Sequence, residues 1–200
     1  MSRTIAELRG HRRAPDTISA TLTGTYAIDP SHSRIGFVAR HAMISKVRGS
    51  FNEFDGSGYF DAENPASSHL QLTIKAASID TRNADRDAQL RTNDFFDMPT
   101  HPEITFSSTA IEQTGDVEYR VTGDLTIKGV TKPLTVDLEY TGSAVDPNDN
   151  QRIGFKGRTT VNRKDWGVTW NAALEAGGVL VSEKVTLEFE VSAIHTDGAS

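Results

Sequence analysis

The sequence predicts an all-β protein, an antiparallel β-barrel of about eight strands with one short helix in a connection. Apolar residues recur with a period of two along most of the chain, which is the signature of half-buried strands. The alternating stretches are separated by short turns rich in Gly, Asp and Asn. Each stretch carries one apolar and one polar face, as expected of a single sheet curled around its own interior.

The first element is not a strand. Residues 1–22 are rich in Arg, Ser and Thr, lack sustained periodicity and read as a flexible leader with one helical turn near Ile5–Leu8. A domain over 23–196 follows, with a short tail at 197–200. It begins with a short piece at Thr25–Asp29, then the face Ile35, Phe37, Ala39 and His41, then a glycine-interrupted strand over Val47–Tyr59. Next come Leu70, Leu72, Ile74 and Ala76.

Asn83–Phe96 breaks the period, with Ala84, Ala88 and Leu90 among charges, and predicts a helix capped by Thr81 or Asn83. Pro99 and Pro102 stop it. Strands resume at Ile104, Phe106, Ser108 and Ala110, and the clearest alternation runs through Val117, Tyr119, Val121, Gly123, Leu125 and Ile127. That stretch spans roughly 37 Å at ~3.4 Å per residue, longer than most sandwich strands, which favours a barrel. Three further faces follow: Leu134 to Tyr140, Ile153 to Val161, and Val185 to Ala193. Asp55-Gly56, Thr114-Gly115-Asp116 and Asp146-Pro147-Asn148 are the expected turns.

Composition narrows the chemistry. With 200 residues and 36% hydrophobic content the chain can bury a sizeable core as one domain. Zero cysteines exclude disulfides, thiolate metal sites and cysteine nucleophiles. The net charge of −6 divides into +3 over residues 1–13 (Arg3, Arg9, Arg12 and Arg13 against Glu7) and −9 elsewhere, the opposite of a nucleic-acid binder. No apolar run reaches the roughly 20 residues that cross a bilayer, and the leader lacks the apolar stretch of a secretion signal, so a cytoplasmic location is expected.

No dinucleotide, P-loop, esterase or zinc-protease motif occurs. The Asp146–Asn150 run starts like a calcium loop but has Gln151 where Gly belongs, and it reads as a hairpin turn. The six histidines show no metal-ligand spacing. His32 reads as a turn residue bonding backbone. His41 shares the face of Phe37 and Ala39, and reads either as a satisfied core histidine or as a polar anchor in a cavity. The charged run from Asp80 to Asp97 reads either as a solvated helix face, with Asp87 and Arg91 an i,i+4 pair, or as an anion-binding cluster using Arg86 and Arg91.

The aromatic residues fall on inward faces, with Phe95-Phe96 and Trp166/Trp170 placed to cover an end. Ala39, Gly49, Ala76, Ser108, Gly123 and Gly157 leave room among them. An eight-stranded barrel is either filled by its own side chains or holds one small ligand, and the pattern alone leaves both open.

The string Tyr26 to Ser33, continuing through Ile35, Phe37 and His41 to Gly49-Ser50-Phe51, resembles the opening of the YceI-like family of bacterial lipid-binding proteins. Similar to the same family are Ser78-Ile79-Asp80-Thr81 with Arg86-Asp87, Leu90-Arg91 and Asp94-Phe95-Phe96-Asp97; His101-Pro102 with Ile104 to Ser108; Gly123 to Pro133; and Arg163-Lys164-Asp165-Trp166-Gly167. The resemblance covers residues 24 to 192 in consistent order. It implies an extended lipocalin-like barrel whose lumen takes a polyisoprenoid, an isoprenoid quinone or a fatty amide, without established catalysis. Many members of that family are exported.

The expectation is therefore a non-enzymatic protein that carries or sequesters such a lipid non-covalently, without metal, nucleic-acid partner or transmembrane segment, and with homodimerisation left open. The tail would lie among Phe37, Phe51, Phe54, Phe95, Phe96, Phe106, Phe155, Trp166 and Trp170, and the polar end near His41, Arg86 and Arg91. The rival readings are a lipid-acting isomerase or hydrolase using His41, and a packed structural barrel acting through its outer surface.

Overall fold

The computed structural model describes residues 18–172, 174 and 180–196; the expected helical turn near Ile5–Leu8, most of the leader and the tail lie outside them. Among the described residues, eleven strands form one antiparallel sheet: β1 (Gly24–Ile28), β2 (Arg34–His41), β3 (Ser45–Phe51), β4 (Phe54–Phe60), β5 (His69–Lys75), β6 (Ile79–Asp80), β7 (Glu103–Gln113), β8 (Glu118–Ile127), β9 (Val130–Val145), β10 (Gln151–Asn162) and β11 (Lys184–His195). The order β1-β4-β5-β7-β8-β9-β10-β11 closes through β1–β11 pairing into an eight-stranded barrel.

β2 and β3 continue the walls begun by β1 and β4. β11 pairs with β2 along Thr186–Glu190 and with β1 along Ala193–His195, so β1 and β2 are two halves of one bent wall strand. The bend is a 3-10 turn at Pro30–His32, where Pro30 supplies a preset φ and Asp29 caps by accepting from the Ser31 amide. β3 and β4 are likewise separated at Asn52-Glu53, so the expected single strand over Val47–Tyr59 is two. Asp55-Gly56, expected as a turn, lies inside β4. Gly56 is small because Ile28 of the neighbouring β1 packs over it: a Cβ there would sit 2.6 Å from Ile28 Cδ1.

One network fixes the bend. Asp29 accepts from Ser31 and, at 2.7 Å, from Arg152, whose Nε also donates to Asp146 at 2.7 Å. These bonds hold the Asp29 and Asp146 carboxyls well below the usual carboxylate range, with Ser31 and then Arg152 leading for Asp29, and Arg152 and then Asn150 for Asp146. His32 sits in this turn, its amide donating to the Asp29 carbonyl at 3.2 Å as expected of a turn residue, and its Nδ1 also pairs with the Asp29 carboxylate at 2.7 Å.

The helix is shorter than its pattern suggested. α1 spans Ala84–Leu90 and is capped by Asn83, which accepts from the Arg86 amide at 2.9 Å. It stops before Phe96 because Thr92 bonds back to the Gln89 carbonyl at 2.7 Å and the chain turns, bringing Phe95 and Phe96 inward. Asp87 is buried and accepts from the Thr81 amide and hydroxyl at 3.0 and 2.6 Å, so it braces the preceding loop and does not form the expected surface pair with Arg91. In β7 a bulge between Ser108 and Ala110 shifts the phase: Ala110 is exposed and Ile111 buried.

Two apolar clusters mark the barrel's ends. One gathers beside β6 and α1, around Phe51, Ile79, Met98, Leu125 and Trp166. The other gathers around Leu22, Tyr26, Tyr119 and Tyr140. Leu22 lies upstream of the expected domain start at 23, yet it is buried, and its carbonyl accepts from the Tyr26 hydroxyl at 2.8 Å.

Candidate functional site

A cavity of about 340 Å³ runs inside the barrel, lined by side chains from both end clusters. That volume falls within the ~300–1,000 Å³ of ligand pockets, and the lining is almost wholly carbon. Phe37, Leu72, Phe106, Leu138, Leu187 and Phe189 all line it, and all remain only half-buried. Inward side chains that keep accessible surface face a void, so the interior is hollow.

The glycines keep it open indirectly. Gly49, Gly123 and Gly157 do not themselves border the cavity; Phe37, Phe106 and Leu138 lie over them, each occupying the space a Cβ would take. Large side chains flattened against glycines along the wall leave the axis free. Trp166 is held similarly, its Nε1 donating to the Leu125 carbonyl at 2.9 Å, so the indole adds an apolar face with its polar atom satisfied.

Of the residues expected around a lipid tail, Phe37, Phe51, Phe95, Phe96, Phe106, Phe155 and Trp166 line the cavity. Phe54 is buried but does not border it, and Trp170 packs against Phe95 with centroids 5.2 Å apart and planes tilted by 48°, also outside the lining. None of the expected polar anchors reaches the lumen. His41 is exposed at the end of β2, where it bridges to the cavity-lining Val181 without itself entering the lining, and is neither a core histidine nor a cavity anchor. Arg86 is tied to the Thr81 hydroxyl and carbonyl, both at 2.7 Å, and the exposed Arg91 to the Ala77 carbonyl at 3.2 Å.

Several polar residues not singled out from the sequence as anchors do border the cavity, among them Tyr59, Ser68, His69 and Thr105, and two of them, Arg163 and Tyr119, are buried at opposite ends. Arg163, 8% exposed, donates to the carbonyls of Ser182 (2.9 Å), Val168 (2.6 Å) and Val181 (3.3 Å). Burial draws its guanidinium below its ordinary pKa, offset in part by Glu183. The period-two phase of Ile153 to Val161, extended one step, reaches Arg163, so the signal was present.

At the opposite end Tyr119 is 2% exposed, and its hydroxyl is the one fully buried side-chain polar atom without a partner among the described residues. Phe60 and Phe155 pack edge-on against its ring. Burial first, and then the neighbouring Tyr140, raise its pKa. No carboxylate lines the cavity among the described residues.

Comparison with known proteins agrees with this architecture. A UPF0312 protein of Photorhabdus laumondii subsp. laumondii is 42% identical over 150 residues, covering 74% of this chain and 78% of that protein. The crystal structure of Burkholderia cenocepacia BcnA superposes with a TM-score of 0.73 at 28% identity, covering 82% of this chain and 98% of that one. A polyisoprenoid binding domain from Saccharophagus degradans, implicated in plant cell wall breakdown, shares the fold with a TM-score of 0.65 at 16% identity, covering 86% of this chain and 98% of that one. The family model described as YceI-like domain matches residues 26–193, from the first wall strand to the last, and the chain belongs to that family.

Proposed function

We propose that this protein binds a long amphiphilic lipid in the barrel lumen and carries or sequesters it, a polyisoprenoid, isoprenoid quinone or fatty amide being the ligand class. The carrying observation is the hollow apolar lumen, whose inward aromatic and aliphatic side chains retain accessible surface. Each methylene removed from water contributes ~0.8 kcal/mol, so a chain can be held with few polar contacts, against the cost of association. The polyisoprenoid binding domain that shares the fold supports the ligand class.

A carrier is favoured over a lipid-acting enzyme because His41 stands outside the lumen, and His69, which borders it, meets no carboxylate in the lining among the described residues. The reading is tested by mass spectrometry of lipids extracted from protein expressed in cells, and by titrating delipidated protein with polyprenols and quinones. Co-purified lipid or saturable binding is expected; the absence of both would remove the proposal. A cytoplasmic site of action belongs to the same reading and is checked by cell fractionation.

A further inference from the structure

The β2–β3 hairpin reverses direction at Ala42-Met43-Ile44, on the outside of the barrel and at its rim. Met43 is 56% and Ile44 85% exposed. Ala42 and Met43 both adopt left-handed backbone, with φ of 51° and 61°, where Asn and Gly are the low-strain choices. Backbone strain and exposed apolar surface are thus both tolerated at one tip.

The flank of this hairpin is basic in a chain of net charge −6. A shallow groove on the outer wall, beginning at Met43, carries Arg40, Lys46, Arg48, Arg158 and Lys184. Its two carboxylates are already engaged, Glu183 with Lys164 at 2.7 Å and Glu188 with Arg34 and Arg48 at 3.7 and 3.9 Å. Arg40 and Lys46 make no ion pair among the described residues. The hairpin also adjoins the cavity: Ala39 and Val181 line it, and the Ala42 amide donates to the Leu180 carbonyl at 2.7 Å.

We infer that the β2–β3 hairpin docks the barrel on an anionic phospholipid bilayer. Met43 and Ile44 enter the headgroup region, and Arg40, Lys46 and their neighbours meet the lipid phosphates. An apolar tip suits the boundary between headgroups and acyl chains, whereas a nucleic acid or other soluble polyanion would use the cations and leave Ile44 idle. Docking at this point places the cavity rim against the membrane from which a lipid carrier must draw its ligand. That consequence rests on the carrier reading; the docking itself does not.

The test is co-sedimentation of the full chain with vesicles of phosphatidylcholine alone or with added phosphatidylglycerol. Binding to the anionic vesicles is expected, weakening with salt, with little binding to the neutral ones. Arg40→Ala and Lys46→Ala should each lower partitioning about fivefold, on the order of one cation's share of surface attraction. Ile44→Asp should lose binding, while Val145→Asp should not, because Val145, 61% exposed, pairs with Gln151 at the end of the barrel away from the β2–β3 hairpin. The leader's arginines are common to every variant, so they cancel in these comparisons.

Vesicle binding unchanged by Ile44→Asp and the two alanine variants, or absent in the unaltered chain, overturns the inference. So does equal binding of single-stranded DNA by the unaltered chain and Ile44→Asp, if the two also sediment equally with vesicles. Vesicle binding by a chain that neither co-purifies with lipid nor binds added polyprenols or quinones would refute the carrier reading and leave the docking surface standing.

Discussion

Replacing Tyr119 by Phe removes one oxygen atom and leaves the ring, and the structure gives the sign of the effect. The hydroxyl is buried without a partner, and a buried unsatisfied hydroxyl costs ~1–3 kcal/mol relative to its hydrated state in the unfolded chain. The edge-on packing against Phe60 and Phe155 needs no oxygen and survives. Delipidated Tyr119→Phe should therefore be more stable than the parent by about 1 kcal/mol, raising Tm by about 2–4 °C. The gain should grow in alkali. The folded pKa is raised, so the parent keeps the benefit of a neutral phenol below the unfolded value near ~10 and loses stability as pH rises through the folded one. Calorimetry of both proteins after organic extraction, at neutral pH and above pH ~10, measures both effects. A Tm lowered by a few degrees in the variant would refute the reasoning, because it would show that the hydroxyl has a partner.

Three other outcomes follow from named contacts. Arg163→Met strips three carbonyls of their donor and should cost ~3 kcal/mol, lowering Tm by roughly 6–12 °C; an unchanged Tm in thermal denaturation would show that those bonds contribute nothing. The depressed Asp29 and Asp146 carboxyls stabilise the fold fully above the unfolded carboxylate pKa of about 4, and that contribution is lost as pH falls toward their folded values. Arg152→Gln should thus flatten the dependence of stability on pH on the acid side in denaturant titrations, and an identical slope would contradict it. Gly49→Ala places a methyl where the Phe37 ring lies, lifts that ring into the lumen and should weaken polyprenol retention about tenfold, without the global unfolding that circular dichroism would report.

The alternating pattern carried the strands well wherever the barrel wall is regular. From Val117 to Leu125 the expected inward residues are the buried ones, and Val185, Leu187, Phe189, Val191 and Ala193 all line the cavity. A period of two reports which side of the wall a residue occupies. It says nothing of how far along the wall that residue sits, and His41 shows the difference. Its phase matches Phe37 and Ala39, but it is the last residue of β2, next to the hairpin, where it is exposed and outside the cavity lining. The bulge in β7 is a different failure: one extra residue reverses the phase, and nothing in Ser108-Thr109-Ala110 marks it.

Glycine was legible as a source of room, but not as to where that room lies. The expectation was that small residues leave room among the large ones, and the structure adds where: Phe37, Phe106 and Leu138 occupy the places over Gly49, Gly123 and Gly157, and the room lies along the axis. A glycine on one strand and a large residue on its neighbour act as a pair, and the pairing depends on register, which sequence alone leaves undetermined until the strand order is known. Phe37 opposite Gly49 and Leu138 opposite Gly157 are such pairs, each bringing together strands adjacent in the wall. The void is thus a property of the register: shifting either strand by two residues, which keeps each side chain on its face of the wall, would set Phe37 or Leu138 against a Cβ, turn its bulk toward the axis and fill the barrel with the residues that now line it.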